Sequence, residues 1–292
     1  PARMPFTITA RSYQLHVGDR TRIMGIINVT PDSFSQDGCL NKKNGKEYAY
    51  RLARKHIRDG ADIIDIGGES TRPGALSVSV KEELNRIVPV IQALTKKTKI
   101  PVSVDTYKAI VAKAALDAGA SIVNNIMGTK LDQDLLKMVK SYNAAVVLMH
   151  IRGTPKTMRK EIYYHDLLDD MIVALKKSIE KCLEIGIKSD KIILDPGIGF
   201  GKTVEHNLKI LNRLEDFKTL QYPLLIGTSR KSFIGKILNK KVEHRLIGTI
   251  ATVTAGILNG AHIVRVHDVK AVKDAAIMAD AVMSEHPTRQ LL

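Results

Sequence analysis

Eight times along this chain a short aliphatic run stops at polar residues and gives way to a longer amphipathic stretch, and that alternation leaves few folds open. The runs cover 23–28, 62–66, 101–105, 121–124, 144–150, 191–195, 223–227 and 262–267. Helical periodicity fills stretches between them, such as 46–59, 81–94, 107–118, 166–185 and 244–258. Gly60, Gly119, Gly186 and Gly260 stand just before strand runs, where helices commonly end in a left-handed residue. Eight β–α units at this spacing predict a closed (β/α)8 TIM barrel rather than a doubly wound open sheet. The open sheet loses further ground because no G-x-G-x-x-G follows the first run. Alternating residues over 6–17 predict a short N-terminal β-hairpin that closes the barrel's bottom. Without a low-complexity or Ser/Pro-rich linker, residues 1–292 read as one domain, with the hairpin at about 5–18 and the barrel at about 22–284.

Composition bounds the function. Apolar residues make up 44% of the chain but aromatic ones only 4%, so the core has to be aliphatic, as buried parallel strands require. A net charge of +15 invites a nucleic-acid reading. The basic residues, however, come singly or in pairs such as Lys42-Lys43, Lys96-Lys97, Lys176-Lys177 and Lys240-Lys241, mostly beside predicted helices. Neither a basic arm nor a recognition-helix pattern accompanies them, so they read as solvated helix faces whose field attracts anionic substrates rather than nucleic acid. Apolar runs are strand-sized, so no membrane span is expected. The segment 1–10 lacks the apolar core of a signal peptide. Cys39 and Cys182 show no metal spacing, and Cys182 falls on a helical pattern as a core filler. A soluble protein in a reducing, cytoplasmic setting is expected.

In barrels of this kind chemistry sits at the C-terminal strand ends. The first run ends in Asn28, followed by a long polar loop suited to covering a ligand. The second leads into Gly67-Gly68-Glu69-Ser70-Thr71-Arg72-Pro73, with hydroxyls and a guanidinium, although a polar surface turn explains it equally well. Asp105 ends the third run, either as an N-cap for a helix near Tyr107 or as a buried carboxylate in need of partners. Asn124 and His150 end the fourth and fifth, the histidine reading as a satisfied core or supporting group. The sixth run ends in Asp195 and opens a glycine-rich loop around Phe200 that is not a Walker A loop, since its spacing is wrong. Ser229, Arg230, Lys231 and Ser232 follow the seventh, and Arg265, His267 and Asp268 the eighth. Arg265 and His267 point the same way on a strand, and with their neighbours they suggest an oxyanion site. Carboxylates and Asn at one end with cations at the other suit a ligand that carries donors and a negative charge.

These segments resemble dihydropteroate synthases. The matching stretches run from Gly25-Ile26-Ile27-Asn28-Val29-Thr30-Pro31-Asp32-Ser33-Phe34-Ser35 through Asp65-Ile66-Gly67-Gly68-Glu69-Ser70-Thr71-Arg72-Pro73-Gly74-Ala75 and Val104-Asp105-Thr106. They continue with Leu148-Met149-His150, Asp195-Pro196-Gly197, Gly199-Phe200-Gly201, Ser229-Arg230-Lys231-Ser232 and Arg265-Val266-His267-Asp268-Val269, in family order. The resemblance implies a pterin-binding barrel, a homodimer and a sulfonamide target. Its reaction condenses 6-hydroxymethyl-7,8-dihydropterin diphosphate with 4-aminobenzoate, giving dihydropteroate and pyrophosphate. It also implies residue roles. Asp105, Asn124, Asp195 and Lys231 hold the pterin, with Met149 packed beside it, and Asp105, Asp195 and Lys231 form the catalytic set. Asn28 contributes to a magnesium–diphosphate site, and Thr71, Arg265 and His267 contact the diphosphate. Ser70, Thr71, Arg72, Pro73, Phe200, Lys231 and Ser232 help form the aminobenzoate site.

Two departures stand out. The first loop reads Ser35-Gln36-Asp37-Gly38-Cys39 where the family commonly runs Ser-Asp-Gly-Gly, and Asn125 stands where the family usually has Asp. The latter is expected to alter the charge balance around the pocket. Two rival functions stay open on sequence alone, besides a degenerate paralogue that binds pterin without turnover because of Asn125. One is a pterin-binding methyltransferase of the same superfamily, which would not need Ser229-Arg230-Lys231-Ser232 or Arg265-Val266-His267. The other is a nucleic-acid binder, which predicts salt-steep binding and no pterin affinity.

Overall fold

The computed structural model describes residues 3–30, 45–70, 77–125, 132–153, 158 and 162–286. Strands β1 (Phe6–Ala10) and β2 (Tyr13–Val17) pair antiparallel. The chain then alternates through β3 (Arg22–Asn28), α1 (Gly45–Arg58), β4 (Ile63–Gly67), α2 (Val80–Thr95), β5 (Val102–Asp105), α3 (Ala109–Asp117), β6 (Ile122–Asn125) and α4 (Gln133–Ser141). It continues with β7 (Ala145–Met149), α5 (Leu167–Ile185), β8 (Ile192–Asp195), α6 (Val204–Asn212), β9 (Leu225–Ile226), α7 (Ser232–Leu238), α8 (Leu246–Leu258), β10 (Ile263–Val266) and α9 (Val269–Ser284).

Strands β3 to β10 are parallel and lie in the order β8-β7-β6-β5-β4-β3-β10-β9. A parallel bridge between Leu194 and Leu224, with Leu194 N–H donating to the Pro223 carbonyl at 2.9 Å, joins the last pair and closes the barrel. All eight expected strands are present. Gly60, Gly119, Gly186 and Gly260 adopt φ of +98°, +107°, +94° and +108°, the left-handed turns expected before strands.

Two apolar clusters follow from strand geometry. Side chains on the outer strand faces, such as Ile64, Ile66, Val104, Val123, Val146 and Leu194, pack against the helices. The inner faces contribute Met24, Ile63, Ile122, Val147, Ile193, Leu225 and Ile263, and the hairpin adds Ile8, Ala10 and Val17 to that second cluster. The hairpin is thus the floor of the barrel. Lys191 Nζ reaches the Thr9 carbonyl at 3.2 Å and Arg11 N–H the Asn143 carbonyl at 2.9 Å, fastening the floor to the barrel rim.

The third helix begins later than its periodicity predicts, at Ala109 rather than near Tyr107. Tyr107 and Lys108 are drawn out of the helix by Glu69. The Tyr107 hydroxyl lies 3.3 Å and Lys108 Nζ 2.5 Å from its carboxylate, and Lys108 holds an extended φ of −94°. Cys182 is buried in α5, as its pattern suggests, and burial pushes its thiol up to about 12. Cys39 lies outside the described residues.

Candidate active site

Period-two alternation decides what the barrel's mouth presents. Ile63, Ile122, Val147, Ile193 and Ile263 face inward at the floor. Two residues further along each strand stand Asp65, Asn124, Met149, Asp195 and Arg265, which therefore face inward at the mouth. Strand register puts Asp65 beside Ser103 and Asp105 beside Asn124, so Asp105 joins the same ring. The apolar floor and the polar mouth are successive layers of one interior.

Arg265 organises the ring. Its Nε donates to Asp65 Oδ2 at 2.7 Å and its Nη2 to Asp105 Oδ2 at 2.9 Å. Asn124 Nδ2 donates to the same Asp65 oxygen at 3.0 Å. The second oxygens of Asp65 and Asp105 are buried and lack hydrogen-bond partners among the described residues. Buried carboxylate oxygens normally find donors, so these two leave an unmet demand beside the Arg265 guanidinium. Asp195 Oδ1 accepts from Gly197 N–H at 2.7 Å.

Electrostatics follow from this burial. Burial, reinforced by Asp65 and Glu83, raises the Asp105 carboxyl to about 7 against the pull of Arg265. Burial likewise raises Asp195, opposed by the Gly197 amide. For Arg265, burial works against the charge, but Asp65 and Asp105 outweigh it and raise its pKa. Lys231 is lowered to about 8 by burial, against the attraction of Asp195.

Lys231 Nζ donates to the Ile198 carbonyl and sits 4.2 Å from the centre of the Phe200 ring, a cation–π distance. Buried Met149, Ile151 and Met158 pack with Tyr107 and Phe200 into an apolar wall beside the polar ring. Ser229 Oγ lies 2.8 Å from His267 Nδ1 and accepts from the His267 backbone N–H at 3.2 Å. These two make the polar edge above β9 and β10.

Several sequence readings are refined. Asp105 is no helix N-cap: Lys108 occupies that position, and Asp105 is held by Arg265. Arg230, grouped with the anion-binding cations, instead adopts φ +57° and is bound in bidentate fashion by Asp268 at 3.0 and 2.7 Å. It anchors the turn that presents Lys231. Asn125 is buried on the outer face of β6, opposite Leu148 of the helix-facing cluster, so its side chain points away from the site. His150 is a supporting group, contacted by Lys202 and held near 2 by burial and by the Lys202 and Arg152 charges. Asn28 ends β3 at the mouth, half-buried. Ser70 is half-buried at the edge of the described loop, and Ser232 is exposed at the start of α7. Thr71, Arg72 and Pro73 lie outside the described residues, as does the loop after Asn28.

Sequence reasoning missed two features. Asp65 is fully buried inside Ile63-Ile64-Asp65-Ile66, and a carboxylate in such a run is itself a signal that a partner exists. The other is a cluster in which Lys108 bridges Glu69 at 2.5 Å and Glu83 at 2.7 Å, while Thr106 Oγ1 donates to Glu83 at 3.1 Å. It ties the loop after β4 to the end of β5, beside Asp105.

Barrel and site together place this chain in the class of (β/α)8-barrel enzymes with a polar, charged mouth. The family model described as "Pterin binding enzyme" matches residues 24–267. The dihydropteroate synthase of Clostridium beijerinckii is 48% identical over 273 residues, covering 93% of this chain and 98% of the relative. The Yersinia pestis dihydropteroate synthase, solved with a sulfonamide drug complex, superposes with a TM-score of 0.89 at 42% identity, covering 96% of this chain and 100% of that one. The Clostridium difficile enzyme, solved in the presence of pteroic acid, gives 0.84 at 46% identity, covering 91% and 98%. The chain belongs to the dihydropteroate synthase family.

Proposed function

We infer that this protein condenses 6-hydroxymethyl-7,8-dihydropterin diphosphate with 4-aminobenzoate, releasing 7,8-dihydropteroate and pyrophosphate for folate synthesis. The observation that carries this reading is the Asp65–Arg265–Asp105–Asn124 ring at the mouth of a barrel whose relatives, matched along nearly their full length, are dihydropteroate synthases. The rival methyltransferase reading gives no use for the Ser229–His267 pair or for Lys231 over the Phe200 ring.

In the mechanism proposed, Asp195 and Asn124 take the hydrogen-bonding edge of the pterin. A carboxylate accepts paired donors, and an amide serves as both donor and acceptor. Met149 packs against the ring. The bond from the exocyclic methylene carbon to the bridging oxygen breaks, and its electron pair leaves with the diphosphate. Asp105 stabilises the cationic methylene that results, as a preorganised carboxylate can in a dry site. The amine of aminobenzoate then bonds to that carbon and gives up a proton to the departed diphosphate. Phe200, with Lys231 over its ring, forms one wall of the aminobenzoate subsite, and Ser70, Thr71, Arg72, Pro73 and Ser232 complete it. His267, Ser229 and the Nη1 edge of Arg265 face the diphosphate, with Thr71.

Magnesium is proposed as the cofactor. Among the described residues no group of three or more His, Cys, Asp or Glu side chains could hold a metal. Asn28 offers one neutral oxygen, a donor set that fits a magnesium ion bound mainly through substrate phosphates and water. When bound, the ion neutralises charge on the leaving diphosphate.

A homodimer is proposed on the apolar side chains that α8 and α9 leave bare: Ile247, Met278 and Val282 are each more than half exposed. No helix among the described residues is long and apolar enough to cross a membrane. A cytoplasmic setting is proposed, consistent with the buried thiol of Cys182.

Mixing purified protein with both substrates and magnesium is expected to yield dihydropteroate, and a sulfonamide is expected to compete with aminobenzoate. Product formation that a saturating sulfonamide leaves untouched would remove the proposed aminobenzoate subsite.

A further inference from the structure

The glycine-rich segment after β8 is fastened along its whole backbone. Gly197 N–H donates to Asp195 Oδ1 and Gly199 N–H to Asn207 Oδ1, both at 2.7 Å. The Tyr164 hydroxyl donates to the Gly201 carbonyl at 2.9 Å. Gly197, Gly199 and Gly201 adopt φ of +69°, +84° and +65°, a left-handed region in which glycine alone is at ease. Such a segment has wide conformational freedom unless something external removes it.

Lys202 removes it. The residue is buried, and its Nζ reaches three acceptors: the Phe200 carbonyl at 2.9 Å, His150 Nδ1 at 3.1 Å and the His150 carbonyl at 3.3 Å. As an ammonium Lys202 has three N–H donors and no acceptor, so these partners satisfy that form, against a burial that lowers its pKa to about 7. The arrangement needs His150 neutral with its proton on Nε2, and burial keeps it neutral. None of the three bonds is left for a ligand. The loop's one large side chain, Phe200, remains to project toward the site, with Lys231 over its ring.

We propose that Lys202 is a positioning residue for the second substrate: by joining the Phe200 carbonyl to the His150 strand end, it holds the Phe200 ring where aminobenzoate stacks. It touches neither substrate and acts through Phe200. This inference rests on the reading of Phe200 as a wall of the aminobenzoate subsite.

A double-mutant cycle tests it, with KM for each substrate measured separately. Lys202→Met keeps the length of the side chain and donates nothing. It is expected to raise KM for aminobenzoate by about tenfold or more, the usual effect of losing hydrogen bonds to a charged group, while KM for the pterin diphosphate stays within about threefold. On a Phe200→Ala background the same change is expected to alter KM for aminobenzoate by less than about twofold, because residues acting through one another are not additive. Tyr164→Phe, which deletes only the hydroxyl bond to Gly201, is expected to repeat the pattern more weakly. It carries the test if thermal melting shows Lys202→Met to be unfolded. Equal effects with and without Phe200, or equal effects on both substrates, would overturn the proposal. A wild-type protein that fails to condense the two substrates would instead overturn the functional reading beneath it.

Discussion

Asp105 gives one carboxylate oxygen to Arg265 and keeps the other buried and without a partner among the described residues, so its charge acts on the mouth as a fixed field. Removing one preorganised electrostatic group of this kind typically costs about a hundredfold to a thousandfold in turnover. Asp105→Ala is therefore expected to lower kcat by that order while circular dichroism and thermal melting report a folded protein; turnover within a few-fold of wild type would end that role. The pH profile supplies a second check. Asp105 is raised to about 7 by burial and works ionised, so activity should rise as pH passes upward through that value. Lys231 is lowered to about 8 by burial and works protonated, so activity should fall above it. The expected kcat/KM for the pterin diphosphate is a narrow bell between the two. An acid limb near pH 4, the range of an exposed aspartate, would contradict the environment assigned to Asp105. At this scale Asn28, Asp105, Asn124 and Asp195 were legible because each ends an aliphatic run. Asp65 was overlooked because it sits inside such a run, and its partners Asn124 and Arg265 lie 59 and 200 residues away in sequence. Arg230 misled for the same reason: Asp268, which engages it, is 38 residues distant.

Elements divide the labour between the two ends of the barrel. The hairpin touches only the floor, where Ile8 is 1% exposed among inward-facing strand residues. Ile8→Ala is expected to reduce unfolding free energy by about 2–5 kcal/mol, as buried large-to-small changes do, measured by urea denaturation. KM for either substrate should stay unchanged under conditions where the protein is folded. A substantial KM shift at full folding would mean that floor and mouth are coupled. The strand–helix alternation, the hairpin and the left-handed glycines were all readable from periodicity and residue type. The start of α3 was not, because its delay comes from Glu69, which draws Tyr107 and Lys108 out of the helical path through contacts 38 and 39 residues apart in sequence. Periodicity reports an element's preference; tertiary hydrogen bonds set where it begins.

For the molecule as a whole, one closed sheet carries two successive interior layers, apolar below and polar above. Stability is thereby concentrated at one end and chemistry at the other. The barrel needs eight strands before these layers exist, which is why no single strand end was decisive in sequence while their sum was. The +15 net charge belongs to the same scale, and under the proposed function it serves as a field that draws anionic substrate. In the proposed mechanism diphosphate leaves first, and the amine meets the resulting cation. Pyrophosphate release from the pterin diphosphate, followed in magnesium with and without 4-aminobenzoate, tests that claim most directly. Release is expected to be rapid and sustained with the amine, and detectable without it. Absence of release under both conditions, from folded protein, would contradict it.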